Sequence, residues 1–348
     1  MKISKLLVCL LAAALLLPTL AQEIRQAGVG PGPGVRYATD AYPGFDSEES
    51  IVSPERKEPK WFAWINGPNR ETASEQFAYC SDLVAQGDYA KARKQLDALV
   101  REWPTAPEAP KAQLMLAEVC LERLKDYEDA FAEYRYLLDF YSLQCDYDRV
   151  ADTLYRVAGL MKEEGKFVMF VRFENTVDVR RAYETCVLRA PGARWVTEAM
   201  MTIAELRVKE GKLSEAVKVL ENVRNLYPDT LAARQAFSRE AKVRMDILRE
   251  HEYNRSRCQD TIDFLKLALA RGDRDDADQI RSWLDEAVGL IEDEAFAGAK
   301  FYDSNTRTRR SAINAYERFI RDYPASVHVE AAKARLEQLK VQGGKSDE

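Results

Sequence analysis

One spacing occurs three times in this 348-residue chain. An Ala is followed by apolar side chains four and seven positions later and by a Pro at the twelfth. The copies are Ala92, Leu96, Leu99, Pro104; then Ala216, Leu220, Val223, Pro228; then Ala312, Tyr316, Phe319, Pro324. An aromatic residue stands directly before each proline: Trp103, Tyr227 and Tyr323. Positions 0, 4 and 7 lie on one face of a helix. A small Ala on that face lets a second helix approach closely, and the larger residues fill the groove behind it. The proline ends the helix because it cannot continue the hydrogen-bond ladder. Gly87 and Gly211 precede their alanines by five residues and suit the tight turn into the helix. One helix hairpin of this kind cannot bury its own apolar face, so hairpins must stack.

Weaker copies fill part of the intervals. Asp126-Tyr127 leads to Ala130, Tyr134 and Leu137, with Ser142 at the proline position. Ala182 leads to Cys186, but Arg189 replaces the second apolar residue and the proline comes early, at Pro191. The successive Ala intervals are 38, 52, 34 and 96 residues. The long ones imply insertions, near 166–181 and 249–283, or an unrecognised repeat. From Thr72 to about residue 341 the chain is rich in Ala, Leu, Glu, Lys and Arg, which lose little side-chain freedom in helices. Thr72 and Glu75 have the spacing of a capping box. Breaks fall at Gly87, Pro104, Gly165, Gly211 and Pro228, and no long strand-like alternation appears.

This pattern resembles the tetratricopeptide repeat. Gly-Asp-Tyr-x-x-Ala at 87–92, Gly-Lys-Leu-x-x-Ala at 211–216 and the closing prolines carry the resemblance. It implies an all-α, right-handed helical solenoid of about five to six hairpins over residues 71–345.

The first 21 residues read as an export signal. Lys2 and Lys5 precede an apolar run from Leu6 to Leu20, and Thr19 and Ala21 supply small residues before Gln22. That run is short for a membrane span, which needs roughly 20 residues. Cys9 sits at the front of the run rather than at its end, so no lipid anchor is expected. Residues 22–70 read as a flexible linker containing Gly28-Val29-Gly30-Pro31-Gly32-Pro33-Gly34 and, later, the apolar cluster Trp61-Phe62-Ala63-Trp64-Ile65. The cluster either caps the first repeat or docks on a partner.

Chemistry is hard to find. The net charge is −6, and about −8 without the signal, with the two signs evenly mixed, so no nucleic-acid footprint exists. The five cysteines beyond the signal stand at least 25 residues apart without a CxxC motif, which supports neither zinc nor redox chemistry. They suit packing positions, although export would permit a disulfide. His251 and His328 lie far apart in charged helical stretches. The acids of Asp273-Arg274-Asp275-Asp276-Ala277-Asp278 fail the calcium-loop pattern, with Asp278 and Leu284 at its sixth and twelfth positions. They suit a helix start. The Gly/Pro run at 28–34 follows no strand and is no phosphate loop. No catalytic residue, metal site or cofactor is expected. The basic run Arg307-Thr308-Arg309-Arg310 reads as a solvated turn, or as a contact for an acidic partner or lipid phosphate.

The first helices of stacked hairpins line a shared face, which is where such proteins bind. On this register that face receives Phe77, Ser81 and Val84, then Met115, Val119 and Glu122, and later Met201, Glu205 and Val208. Met and Phe there would suit adaptable recognition of a protein segment. The same residues could instead pack between repeats.

A narrower resemblance is to the outer-membrane assembly family called BamD. It rests on the export signal with Gly87–Ala92 and Trp103-Pro104, on Ala204-Glu205-Leu206 with Leu226-Tyr227-Pro228-Asp229-Thr230, and on Ala299-Lys300-Phe301-Tyr302 with Ala312–Glu317 and Tyr323-Pro324. It implies a periplasmic protein, or one peripheral to the outer membrane, that holds unfolded β-barrel substrates and assembly subunits. The chain departs from that family in lacking a lipoprotein Cys and in its C-terminal repeat spacing. General periplasmic repeat adaptors of cell-wall or envelope machinery share most of these motifs.

Overall fold

The computed structural model describes residues 42–45, 67–164, 166–168, 171–173, 176–250, 253–272, 274–304 and 306–344. The export signal, most of the linker, the Trp61–Ile65 cluster, His251 and Asp273 lie outside them. The chain divides after Pro228 into two compact units.

The first unit carries α1 (Ala73–Gln86), α2 (Tyr89–Glu102), α3 (Ala109–Glu118, continued by a π-helical turn, Val119–Leu124), α4 (Tyr127–Phe140), α5 (Tyr147–Glu164), α6 (Thr176–Arg189), α7 (Val196–Lys209) and α8 (Leu213–Leu226). The second carries α9 (Leu231–Glu250), α10 (Arg255–Arg271), α11 (Ala277–Asp303), α12 (Arg309–Asp322) and α13 (Val329–Gly344). Within each unit every helix packs on its chain neighbour, which makes the fold an all-α array of helix hairpins. The exception among the described residues is a small antiparallel pair, β1 (Lys166–Val168) and β2 (Val171–Phe173), with Lys166 opposite Phe173. It occupies the first expected insertion, which is shorter than the sequence suggested because α6 already begins at Thr176.

The repeat frame has a direct physical counterpart. Ala92, Ala130, Ala216 and Ala312 are all fully buried, as are Leu96 and Leu99, with Leu220, Tyr316 and Phe319 nearly so. Helices α2, α8 and α12 each stop two residues before Pro104, Pro228 and Pro324, with Trp103, Tyr227 and Tyr323 as C-caps in non-helical conformations. A residue preceding proline is pushed out of the α region by the ring, so the aromatic takes the cap.

The aromatic has a second task. The Tyr227 hydroxyl donates to the carbonyl of Pro191, one repeat earlier, at 3.2 Å. Tyr141, which caps α4, donates in the same way to the carbonyl of Pro104 at 2.7 Å. Each bond ties the end of one hairpin to the end of the one before it.

The turns show why the second repeat looked degenerate. Gly87 and Gly211 adopt φ values of 81° and 73°, the left-handed region. The corresponding residue of the second hairpin is Lys125, and it too is left-handed, at φ 56°. It closes the π-helical turn, after which the Asp126 N–H donates to the Cys120 carbonyl at 3.0 Å. A lysine thus stands, still left-handed, where a glycine is expected.

The 96-residue interval between Ala216 and Ala312 contains an unrecognised hairpin, α9 and α10. Its frame reads Cys258, Ile262, Leu265, all buried, with Cys in place of Ala and no proline. These residues pack with Phe237, Ala241 and Met245 of α9 and with Ile280, Ala287 and Ile291 of α11. The C-terminal half of the long α11 joins a second cluster through Ala299, with Ala312, Tyr316 and Phe319 of α12 and Val329, Ala332, Leu336 and Leu339 of α13. Cys80, Cys120, Cys186 and Cys258 are buried packing residues and Cys145 is half-buried.

Candidate functional site

In the first unit the odd-numbered helices α3, α5 and α7 share one face, as contacts across them show. Glu122, in the π-helical extension of α3, meets Arg156 of α5 at 3.3 Å. Lys162 of α5 reaches Glu205 of α7 at 3.8 Å. Nearer the start of α5 the indole N–H of Trp195, just before α7, donates to Asp152 at 2.7 Å.

An open cleft of about 860 Å³ lies on this face, between the N-terminal half of α5 and the start of α7. Its floor is a stacked pair, Tyr155 on Trp195, with ring centroids 4.5 Å apart and planes 2° from parallel. Trp195 is buried beneath and Tyr155 half-buried. Burial, with the charge of Glu198 alongside, pushes the Tyr155 phenol well above its ordinary range, so it stays a neutral hydrogen-bonding group. The rim carries both signs: Asp146, Asp148, Asp152 and Glu198 against Arg149, Arg156 and Arg194. Arg194 has 87% of its side chain exposed and makes a long 3.8 Å contact to Asp152. An aromatic floor with acceptors and guanidinium donors around it matches the mixed polarity of a polypeptide segment.

The sequence-selected groove residues separate into three kinds. Glu122 and Glu205 are exposed on the shared face, where they pair across helices. Phe77, Ser81 and Met115 are half-buried, and the Ser81 hydroxyl is turned back to the Phe77 carbonyl at 2.9 Å. Val119 and Met201 are buried and belong to the packing between helices, because the helix faces they occupy point at neighbours. Val84 and Val208 are half-buried. Tyr155, Trp195 and Asp152 were not among the candidates. Their signal was an isolated Trp at the mouth of a repeat, four residues after Pro191, but the register of α5 was unknown without its partner helix.

Among the described residues no group of three His, Cys, Asp or Glu side chains could hold a metal ion, and no helix is long and apolar enough to cross a membrane. Asp278, within the acidic run at the start of α11, pairs with Arg281. His328 stacks on Phe296, with centroids 4.6 Å apart, and contacts Asp293 at 2.6 Å.

Two tetratricopeptide repeat models match this chain, one over residues 81–144 and one over 198–230. The first runs from the second half of α1 past the end of α4, and the second covers most of the α7/α8 hairpin. Both stretches are tetratricopeptide repeats. Comparison with curated proteins found no significant match. Solved structures that match include a tetratricopeptide repeat protein from Parabacteroides merdae, 14% identical, covering 77% of this chain and 98% of that one with a TM-score of 0.28. A thermophilic tetratricopeptide repeat protein of Thermus thermophilus is 14% identical, covering 62% of this chain and 99% of its own, with a TM-score of 0.26. The TPR2AB domain of yeast Sti1, solved in complex with Hsp90, is 12% identical, covering 62% and 98%, with a TM-score of 0.26. The repeats themselves rest on the two sequence models and on the buried alanine frame. A tetratricopeptide array is a scaffold for binding other proteins.

Proposed function

We propose that this chain is an exported, non-catalytic scaffold that binds proteins on the α3/α5/α7 face, as a BamD-like component of outer-membrane β-barrel assembly. The observation that carries the binding reading is the Tyr155–Trp195 platform, framed by Asp152, Glu198 and Arg194. It offers stacking area and hydrogen bonds of both polarities without a nucleophile–base pair or metal cluster beside it. The BamD-like assignment is supported by the export-signal pattern and the three repeat blocks of the sequence. A general periplasmic adaptor of cell-wall or envelope machinery is the second reading, since such repeat proteins share most of these motifs.

Both readings can be tested with a photocrosslinking amino acid at Arg194, in cells exporting the full chain. Crosslinks to outer-membrane barrel proteins or to their assembly subunits support the first. Crosslinks to cell-wall synthases instead would replace it with the second. A chain recovered from the cytoplasm, or one that crosslinks to nothing while remaining folded, would defeat both.

A further inference from the structure

Residues 42–45, Tyr-Pro-Gly-Phe, fall in the region that the sequence marks as a linker, yet they are seated on α7 and α8. Tyr42 is buried, stacks on Phe45 with centroids 5.1 Å apart, and shares a hydrogen bond with the Tyr227 hydroxyl. The segment closes on itself as a turn, with the Phe45 N–H donating to the Tyr42 carbonyl at 3.1 Å. Arg207 donates to the Gly44 carbonyl at 2.7 Å, and Asn222 donates to the Pro43 carbonyl at 3.0 Å.

Three features make this a built site rather than a chance contact. Arg207 is 1% exposed and is held by Glu184 at 3.2 Å and Glu215 at 2.6 Å, and the same Nη2 that meets Glu184 also donates to the Gly44 carbonyl. Both side-chain donors read backbone carbonyls, which any chain of the right shape could offer. Shape is what selects: Gly44 has φ 97°, and a Cβ there would stand 3.0 Å from the Glu215 carbonyl oxygen and 3.2 Å from Val219. Only glycine fits the third position, proline sets the second, and an aromatic fills the pocket by Tyr227 at the first.

We propose that the α7/α8 surface is a recognition site for an aromatic-Pro-Gly-aromatic turn, held in the resting chain by its own residues 42–45 and open to a partner protein that presents the same turn. This inference does not rest on the α3/α5/α7 groove, since it uses Arg207 near the end of α7 and the Glu215–Asn222 stretch of α8. Twenty-seven residues, 46–72, separate the seated turn from α1 in sequence. Because the turn belongs to the same chain, it outcompetes a weak ligand and yields to a tight or abundant one.

The test uses a fluorescent peptide of residues 38–49 and the full chain. Gly44→Val should unseat the cis turn and leave the site intact. Fluorescence anisotropy should then show peptide binding to Gly44→Val at least ~10-fold tighter than to the wild type, whose site is filled. Adding Asn222→Leu should abolish that gain, and a peptide carrying Val in place of its own Gly should not bind. Equal binding to wild type and Gly44→Val would show that the peptide sits elsewhere and would overturn the proposal. So would no binding to a Gly44→Val chain that melts like the wild type. A Gly44→Val chain whose first unit unfolds would make the turn part of the core, which also overturns it. Binding at the groove, read by the Arg194 crosslinker, should be unchanged by Gly44→Val, which separates failure here from failure of the groove reading.

Discussion

Arg189 of α6 and Asp139 of α4 form a two-pronged ion pair, at 2.8 and 2.9 Å, with each side chain 1% exposed. Arg189 is the residue that breaks the repeat frame, standing where an apolar side chain is expected. The pair explains how a charge can occupy that position: its partner comes from the preceding hairpin, and the two carboxylate oxygens satisfy two guanidinium donors. Removing Asp139 alone would leave a buried cation without its carboxylate. Asp139→Leu should lower stability by about 3–5 kcal/mol in urea unfolding. The double variant Asp139→Leu/Arg189→Met should recover most of that loss. A double variant as unstable as the single would show that the pair contributes more than it costs to bury.

Lys125 holds the left-handed turn that Gly87 and Gly211 hold in their own hairpins. A side chain in that region is strained by about 1 kcal/mol, while glycine also costs unfolded-state entropy. Lys125→Gly should therefore be neutral to stabilising by up to about 1 kcal/mol, whereas Gly87→Ala should destabilise by about 1 kcal/mol or more. Thermal melts of the two variants check the opposite signs.

Ala216 is fully buried at the close approach between helices of its hairpin. Ala216→Trp should disrupt that hairpin, because a well-packed contact cannot take an indole; overpacking costs about 1–3 kcal/mol even for smaller additions. Unchanged circular dichroism and melting would refute the repeat register.

Tyr141 donates across repeats to the Pro104 carbonyl. Burial pushes its phenol up to about 12, so it remains a donor throughout the accessible pH range. Tyr141→Phe keeps the ring and loses only this bond, and should cost about 1 kcal/mol. No loss in a chemical melt would mean that ring packing alone joins the hairpins.

In the second unit Arg335 of α13 grips Asp303 at the end of α11, at 2.6 and 2.9 Å. The guanidinium bond, aided by the Tyr316 hydroxyl, holds the Asp303 carboxyl below its usual range despite partial burial. A carboxylate with a depressed folded pKa stabilises above its unfolded value, near 4, and loses that contribution as pH falls through the folded one. The stability gap between wild type and Asp303→Asn should thus be full at pH 7 and shrink below pH 4. A gap independent of pH would place the effect in packing instead.

Much of the chain's organisation was written locally. The Ala frame, the glycine turns and the closing prolines each act within one hairpin, through helix periodicity and backbone sterics, and Ala92, Ala216 and Ala312 are fully buried. The α9/α10 hairpin escaped notice because Cys258 serves where Ala would, and either residue fills a small close-contact position equally well. The α5/α6 hairpin was blurred by Arg189, whose burial makes sense only when Asp139 is beside it.

The sites were less legible. Glu122 and Glu205 could be placed from register alone, since exposure on a helix face follows from period. Which faces meet is decided by packing, so Val119 and Met201 turned inward and Tyr155 met Trp195. The seat of Tyr42–Phe45 joins residues 163 and 179 positions apart, as in Arg207 to Gly44 and Asn222 to Pro43. Local periodicity sets a helix and its buried stripe; only the closure of distant segments in three dimensions decides which donor finds which carbonyl.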